Sequence, residues 1–259
     1  MGAHADSAWQ HRADLHFHLL PALDDGPKTL AESIELARAA VTDGTGTVVA
    51  TPHVKPEFVS DVYELPDRVR ELQAALQAEG IPLAVRRGAE VGHEMVGRLS
   101  QAEIESIALG PPGARWLLLE APFDGLLEGF QAAVDELRDR GFASLIAHPE
   151  RSPALLENGA AALRRELDRG ALAQVNAGSL EGQHGPGAEG AGFELVESGL
   201  AAAIASDAHG GARPPALSRS LARLVAHGIE RRLAHGLVST GPRRVLARGI
   251  ATRPNALAA

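Results

Sequence analysis

The strongest constraint on this chain is an alternation in which a helix-like stretch closes on a glycine and a short apolar run follows within a few residues. Gly44 leads to residues 47–50, Gly80 to 82–85, Gly141 to 143–147, Gly170 to 171–175 and Gly199 to 201–205. Closing a helix takes a left-handed backbone that glycine adopts without a Cβ penalty, so these joints have a mechanism. Residues 13–15 and 116–119 complete seven candidate strands. Strands separated by single helices run parallel, because the crossover returns the chain to the same end of the sheet. The fold class is therefore α/β. Periodicity alone leaves open whether the seven units close into a barrel or stay an open sheet.

Helix patterns agree. Thr29 and Glu32 form a capping-box pattern ahead of Ile34, Leu36, Ala37 and Ala40, which share one face. Helical spacing also fits residues 65–78, 130–140, 154–169 and 193–197. The Gly-rich stretch 182–192 reads as a mobile loop, and 252–259 as a frayed tail. A length of 259 residues suits a single domain spanning 1–259. Without any cysteine, disulfides, thiolate metal sites and cysteine nucleophiles are excluded. The net charge of −8 argues against a general affinity for nucleic acid or anionic membrane, and no apolar run reaches membrane-spanning length. A cytoplasmic protein is expected.

Candidate metal ligands fall at the carboxyl ends of the candidate strands. His16 and His18 follow the first, His53 the second, Glu90 the third, Glu120 the fourth, His148 the fifth, and Asp207 with His209 the seventh. Active sites of parallel α/β folds form at that end. Alternate residues of an extended strand point the same way, so His16-x-His18 and Asp207-x-His209 can each grip one ion together. Imidazole and carboxylate ligands suit manganese, zinc or iron, and a carboxylate such as Glu90 can bridge two ions. Any one of these residues alone reads as a structural histidine or a surface carboxylate; eight at matching strand ends do not. Arg151 and Arg213 each follow a ligand-bearing segment, and a guanidinium fork matches two phosphate oxygens. His4, His11, His227 and His235 read as solvated, and His93 and His184 as loop residues near the mouth.

In these motifs the sequence resembles the PHP (polymerase and histidinol phosphatase) superfamily over nearly its whole length. The segments Asp14-Leu15-His16-Phe17-His18, Leu23-Asp24-Asp25-Gly26, Thr51-Pro52-His53, Gly88-Ala89-Glu90, Ala147-His148-Pro149-Glu150-Arg151 and Ser206-Asp207-Ala208-His209 are similar to one branch, the CpsB/CapC-type manganese-dependent protein tyrosine phosphatases of bacterial capsule loci. The resemblance implies a distorted seven-stranded (β/α)7 TIM-like barrel with two or three divalent ions, manganese foremost and zinc, iron or magnesium as alternatives. It also adds Asp25 as a ligand. One ion would take His16, His18, Glu90 and Asp207, a second Asp25, His53 and His209, and a third Glu90, Glu120 and His148. Arg151 and Arg213 match the family's phosphate-binding arginines. After His53 the second histidine and basic residues common in this branch are missing, and His184 stands where an aromatic is common in some relatives.

The implied activity is hydrolysis of phosphotyrosine in a protein, such as a bacterial tyrosine kinase, by metal-activated water. Rival readings are a histidinol-phosphatase-like or other small-molecule phosphatase, and a non-catalytic regulatory module. The expected partners are a phosphotyrosine protein and a second copy in a homo-oligomer; neither nucleic acid nor membrane insertion is expected.

Overall fold

The computed structural model describes residues 12–59, 61–123 and 125–252. The strands in chain order are β1 (Arg12–Phe17), β2 (Thr45–Ala50), β3 (His53–Val54), β4 (Ala84–Arg87), β5 (Glu90–Val91), β6 (Trp116–Glu120), β7 (Ala143–Ala147), β8 (Leu172–Asn176) and β9 (Ala201–Ala205). All pair in parallel, in a three-stranded sheet ordered β1-β2-β4 and a six-stranded sheet ordered β3-β5-β6-β7-β8-β9. Among the described residues nine strands stand in place of the seven expected, because the short strands β3 and β5 follow the second and third candidate strands after breaks at Thr51-Pro52 and Gly88-Ala89. Hydrogen bonds carry across both breaks: Gly88 N donates to Ala50 O at 3.0 Å and Glu90 N to Pro52 O at 3.1 Å. The end of β1 also meets the segment after β9, where Phe17 pairs with Ala208 and Asp207 N donates to His16 O at 2.9 Å.

Helices α1 (Leu30–Thr42), α2 (Leu65–Ala78), α3 (Gln101–Ile107), α4 (Leu127–Asp139), α5 (Pro153–Asp168), α6 (Ala177–Leu180) and α7 (Gly185–Glu197) alternate with the strands, and α8 (Leu217–Ala226), α9 (Arg231–Val238) and α10 (Thr240–Arg248) follow β9. The five joint glycines all have positive φ, from 67° at Gly80 to 103° at Gly170. Thr29 caps α1 by accepting from Glu32 N.

Two expectations change. Residues 182–192 are mostly helical, because α7 starts with Pro186 in its first turn and packs on β8 so closely that a Cβ on Gly192 would lie 3.4 Å from Val175 Cγ1. Gly192 serves that close packing, whereas a Cβ at Gly187 or Gly190 would meet nothing within 4 Å. Helix α5 is broken at Asn158, Gly159 and Ala160, all with left-handed φ. An Asn-Gly pair tolerates that conformation. The expected tail, 252–259, lies outside the described residues except Thr252.

Strand residues divide by parity between two cores. Trp116 and Leu118 of β6 join Leu15, Val49, Leu145 and Ala203 in one cluster, while Leu117 and Leu119 join the larger cluster under the helices. Both faces of the sheet are thus apolar, as covered parallel strands require. Val245 of α10 and Ile250 complete the inner cluster, and Ile250 N donates to Ala114 O just before β6. The helix α10 therefore closes the amino-terminal end of the strands and leaves the carboxyl end free for chemistry.

Candidate metal centre

The strand ends deliver the expected residues to one place. His16 lies in β1 with His18 two residues on, His53 and Glu90 sit opposite one another in the β3–β5 register, Glu120 ends β6, and His148 follows β7. His148 and Asp207 hold φ values of 36° and 51°. Left-handed backbone at non-glycine residues is strained, and strain of this kind collects at functional sites.

Three histidines share one arrangement. His16 Nδ1 donates to Gln174 Oε1 at 3.1 Å, His18 Nδ1 to Asp24 Oδ2 at 2.6 Å, and His209 Nδ1 to the Asp207 carbonyl at 2.8 Å. Each partner can only accept, so each Nδ1 carries the proton and each Nε2 is left to the cluster. His16 Nε2 stands 3.0 Å from Glu90 Oε2 and 3.3 Å from Asp207 Oδ1; His18 Nε2 is 3.3 and 3.4 Å from the same atoms. His209 Nε2, buried and without an aligned hydrogen bond among the described residues, is 3.0 Å from Asp25 Oδ1. A ring fixed through one nitrogen and offering the other is the usual support of a metal-binding imidazole.

Three groups of donors are spaced to hold an ion, each with its ligand atoms within 4.8 Å of one another: His16, His18, Glu90 and Asp207; His18, Asp25, His53 and His209; and His53, Glu90 and Glu120. The first is the set implied by the resemblance, and the second adds His18 to it. In the third, His53 stands where His148 was expected. His148 Nε2 is instead 2.9 Å from Glu90 Oε1, and the Lys55 ammonium pairs with Glu120.

Electrostatics explain why such a cluster needs cations. Burial alone would lower the pKa of His16 and His18, yet Glu90 and Asp207 raise both above the ordinary value, with Asp24 adding to the effect on His18. Burial would raise Glu90 and Asp207, but the facing histidines hold both carboxyls below their usual range. Protons on the ring nitrogens thus balance buried carboxylate charge in this arrangement, a task divalent ions perform with the same ligands. Buried imidazole and carboxylate donors without thiolate fit manganese, zinc or iron.

Both arginines border the cluster. Arg151 Nη1 lies 3.5 Å from Asp207 Oδ2, and Arg213 Nη2 donates to Asp25 Oδ2 at 2.6 Å. Their partners are candidate ligands, and the neighbouring Glu150 is engaged elsewhere, its Oε1 accepting from Asn176 N and Ser179 Oγ. His184 lies beside Arg151, and burial together with that positive charge lowers its pKa to about 4. His93 is placed edge-on to Phe130 and stands 3.7 Å from Glu94 Oε2. His227 stacks on Phe193 at 3.8 Å and is 3.3 Å from Glu197 while remaining exposed, in agreement with a solvated residue. His4 and His11 lie outside the described residues.

Sequence reasoning missed the supports. Asp24 is buried between His18 Nδ1 and His53 N, although the resemblance adds only its neighbour Asp25. Strand β8 reads as an apolar run, yet its Gln174 and Asn176 project two residues apart to His16 and Asp207, with Asn176 Nδ2 donating to Asp207 Oδ2 at 2.9 Å. Their i, i+2 spacing was the available signal, the same as that of His16 and His18. Asp14, fully buried, accepts from Ser206 Oγ at 2.6 Å and from His16 N at 3.2 Å, and burial pushes its carboxyl up to about 6. It ties the two ligand-bearing strand ends together.

Similar proteins carry related descriptions. The family model for capsular polysaccharide synthesis, CpsB/CapC, matches residues 12–247. Tyrosine-protein phosphatase YwqE of Bacillus subtilis is 37% identical over 201 residues, covering 76% of this chain and 76% of that protein. A putative tyrosine-protein phosphatase, CapC of Staphylococcus aureus, is 31% identical over 211 residues, covering 80% of this chain and 81% of its own. A chain from the crystal structures of YwqE from Bacillus subtilis and CpsB from Streptococcus pneumoniae, described as unique metal-dependent tyrosine phosphatases, superposes with a TM-score of 0.79 at 31% identity, covering 93% of this chain and 97% of that one. A mutant organophosphorus hydrolase from Deinococcus radiodurans shares the fold at a TM-score of 0.57 and 16% identity, covering 92% and 93%.

Proposed function

The chain belongs to the CpsB/CapC family, and from that premise we propose that it is a metal-dependent phosphomonoester hydrolase that removes phosphate from phosphotyrosine in proteins, a bacterial tyrosine kinase of capsule or exopolysaccharide synthesis being the natural substrate. The observation that carries this reading is the convergence of His16, His18 and His209 Nε2 on Glu90, Asp207 and Asp25 between two arginines. The names of the relatives support the substrate class.

His16, His18, Glu90 and Asp207 would hold one ion, and Asp25, His53 and His209 a second; donor spacing supports both sets. Glu90, with Glu120 and His148, would serve a third. Divalent ions held there, manganese first among them, would neutralise phosphate charge and make water a stronger nucleophile. Arg151 and Arg213 would grip the phosphoryl oxygens, since a planar guanidinium matches two of them. Both now lean on candidate ligands, so their charge is already aimed at the cluster. A phenolate leaving group, with a parent pKa of about 10, departs without a strong general acid.

The two sheets are read as one distorted barrel of seven strand positions within a single domain spanning 1–259. The Phe17–Ala208 pairing and the bonds across the two strand breaks support it. No helix among the described residues is long and apolar enough to cross a membrane, in keeping with a cytoplasmic setting. Comparing kcat/KM for a phosphotyrosine peptide, a phosphoserine peptide and histidinol phosphate tests the substrate class. The phosphotyrosine peptide should lead clearly, and a preference for histidinol phosphate would overturn the protein-phosphatase reading while sparing the metal site.

A further inference from the structure

On the Arg151 side of the cluster lies a cavity of about 510 Å³, walled by the loop after β6, the start of α5 and the first turn of α7. That is the size of a small-ligand site, roughly 300–1,000 Å³. Phe123, Pro153 and Leu156 line it with apolar surface, and Arg151 stands at its rim. Phe123 is 46% exposed, so core packing does not account for it.

Its ring is held from two directions that both lead to the metal cluster. One face stacks on His148, with centroids 5.3 Å apart and planes at 16°, and the Arg151 guanidinium lies 4.7 Å from the ring centroid. The same guanidinium is 3.5 Å from Asp207 Oδ2. A phosphate gripped by Arg151 at the cluster would therefore direct its ester group along Phe123 and into the cavity. On the α7 wall, a Cβ added at Gly187 would meet nothing within 4 Å, so a glycine keeps that side open although no neighbour demands one.

We propose, resting on the phosphomonoesterase reading above, that this cavity is an aryl subsite: it takes the aromatic ring of the substrate, with Phe123 as an apolar wall and Gly187 as the opening that admits it. An alkyl phosphate would leave the same apolar lining in water. Preference for aryl esters then has a binding component separate from leaving-group chemistry.

Calorimetry on the manganese-loaded protein with phenylphosphonate and methylphosphonate separates the two, because neither is hydrolysed. Wild type should bind the phenyl compound about three- to tenfold more tightly, the size of one aromatic contact. Phe123→Ala should bring that ratio near one, and Phe123→Trp should keep it. Gly187→Leu fills the cavity from open space, favours the helix and should also erase the ratio. A wild-type ratio near one would overturn the subsite, as would variants that weaken both ligands equally, since Phe123 would then act only by positioning Arg151. Turnover of a phosphotyrosine peptide is scored on the same preparations. Good turnover with a ratio untouched by the variants leaves the phosphatase and removes the subsite; no turnover with a ratio that collapses does the reverse.

Discussion

Replacing Asp24 by asparagine changes one charge and almost no volume, yet should weaken metal binding strongly. Asp24 is 6% exposed, and its two oxygens serve three donors: Oδ2 accepts from His18 Nδ1 at 2.6 Å and His53 N at 3.1 Å, and Oδ1 from Gly26 N at 2.9 Å. Asparagine has one oxygen, so either orientation sets an NH2 group against a donor. Facing His18, it forces the ring proton onto Nε2 and removes that lone pair from the cluster. Facing Gly26, it leaves a buried N–H without an acceptor. An unsatisfied buried group costs about 1–3 kcal/mol, which corresponds to about 5- to 150-fold in affinity. Loss of an outer partner of a metal-binding histidine commonly costs about 10- to 100-fold, a range that agrees. The assay is competition for manganese against a chromophoric chelator, with denaturant unfolding of the metal-free protein run beside it to isolate scaffold damage. A folded Asp24→Asn protein with wild-type metal affinity and wild-type unfolding free energy would refute the role given to Asp24, because either orientation of the amide must cost one of the two.

Arg151→Ala should retain bound metal while kcat/KM for phosphotyrosine peptide falls by about 2–4 kcal/mol of transition-state stabilisation; Arg151→Lys should not restore it, because a point charge lacks the fork. Metal content that falls in step with activity would assign Arg151 to the scaffold. Ser206→Ala removes the 2.6 Å hydroxyl bond to buried Asp14 and should lower unfolding free energy by about 1–3 kcal/mol, so an unchanged denaturant midpoint would contradict that bond's role. For His184 the folded pKa is lowered to about 4 from 6.5 by burial and Arg151, so the unfolded chain takes up this proton first and stability is lost as pH falls through that interval. Denaturant midpoints at several pH values should show a shallower acid decline in His184→Gln than in wild type, and identical slopes would disprove the shift.

Sequence alone carried the parallel α/β plan because glycine joints and apolar runs are local features, and all five glycines sit in the positive-φ region. Ligands were legible for the same reason: a histidine or carboxylate at a strand end is visible without knowing its neighbours. Their supports were not. Gln174 and Asn176 gain meaning only when β8 lies beside the ends of β1 and β9, and Asp24 only when its loop folds over His53. The Lys55–Glu120 pair likewise joins residues 65 positions apart, from 55 in the loop after β3 to 120 at the end of β6. Glycine misled where it served packing: in 182–192 it signals flexibility by composition, whereas Gly192 brings α7 onto Val175.

The measurement that bears most directly on metal-dependent phosphotyrosine hydrolysis is turnover of one phosphotyrosine peptide by a single preparation, first metal-loaded, then stripped by chelator and dialysed, then returned to manganese, with bound metal quantified at each stage. Hydrolysis through the His16, His18, Glu90 and Asp207 cluster requires that turnover fall to background in the stripped protein and recover in proportion to the manganese rebound. Full turnover by protein shown to be free of metal would contradict it.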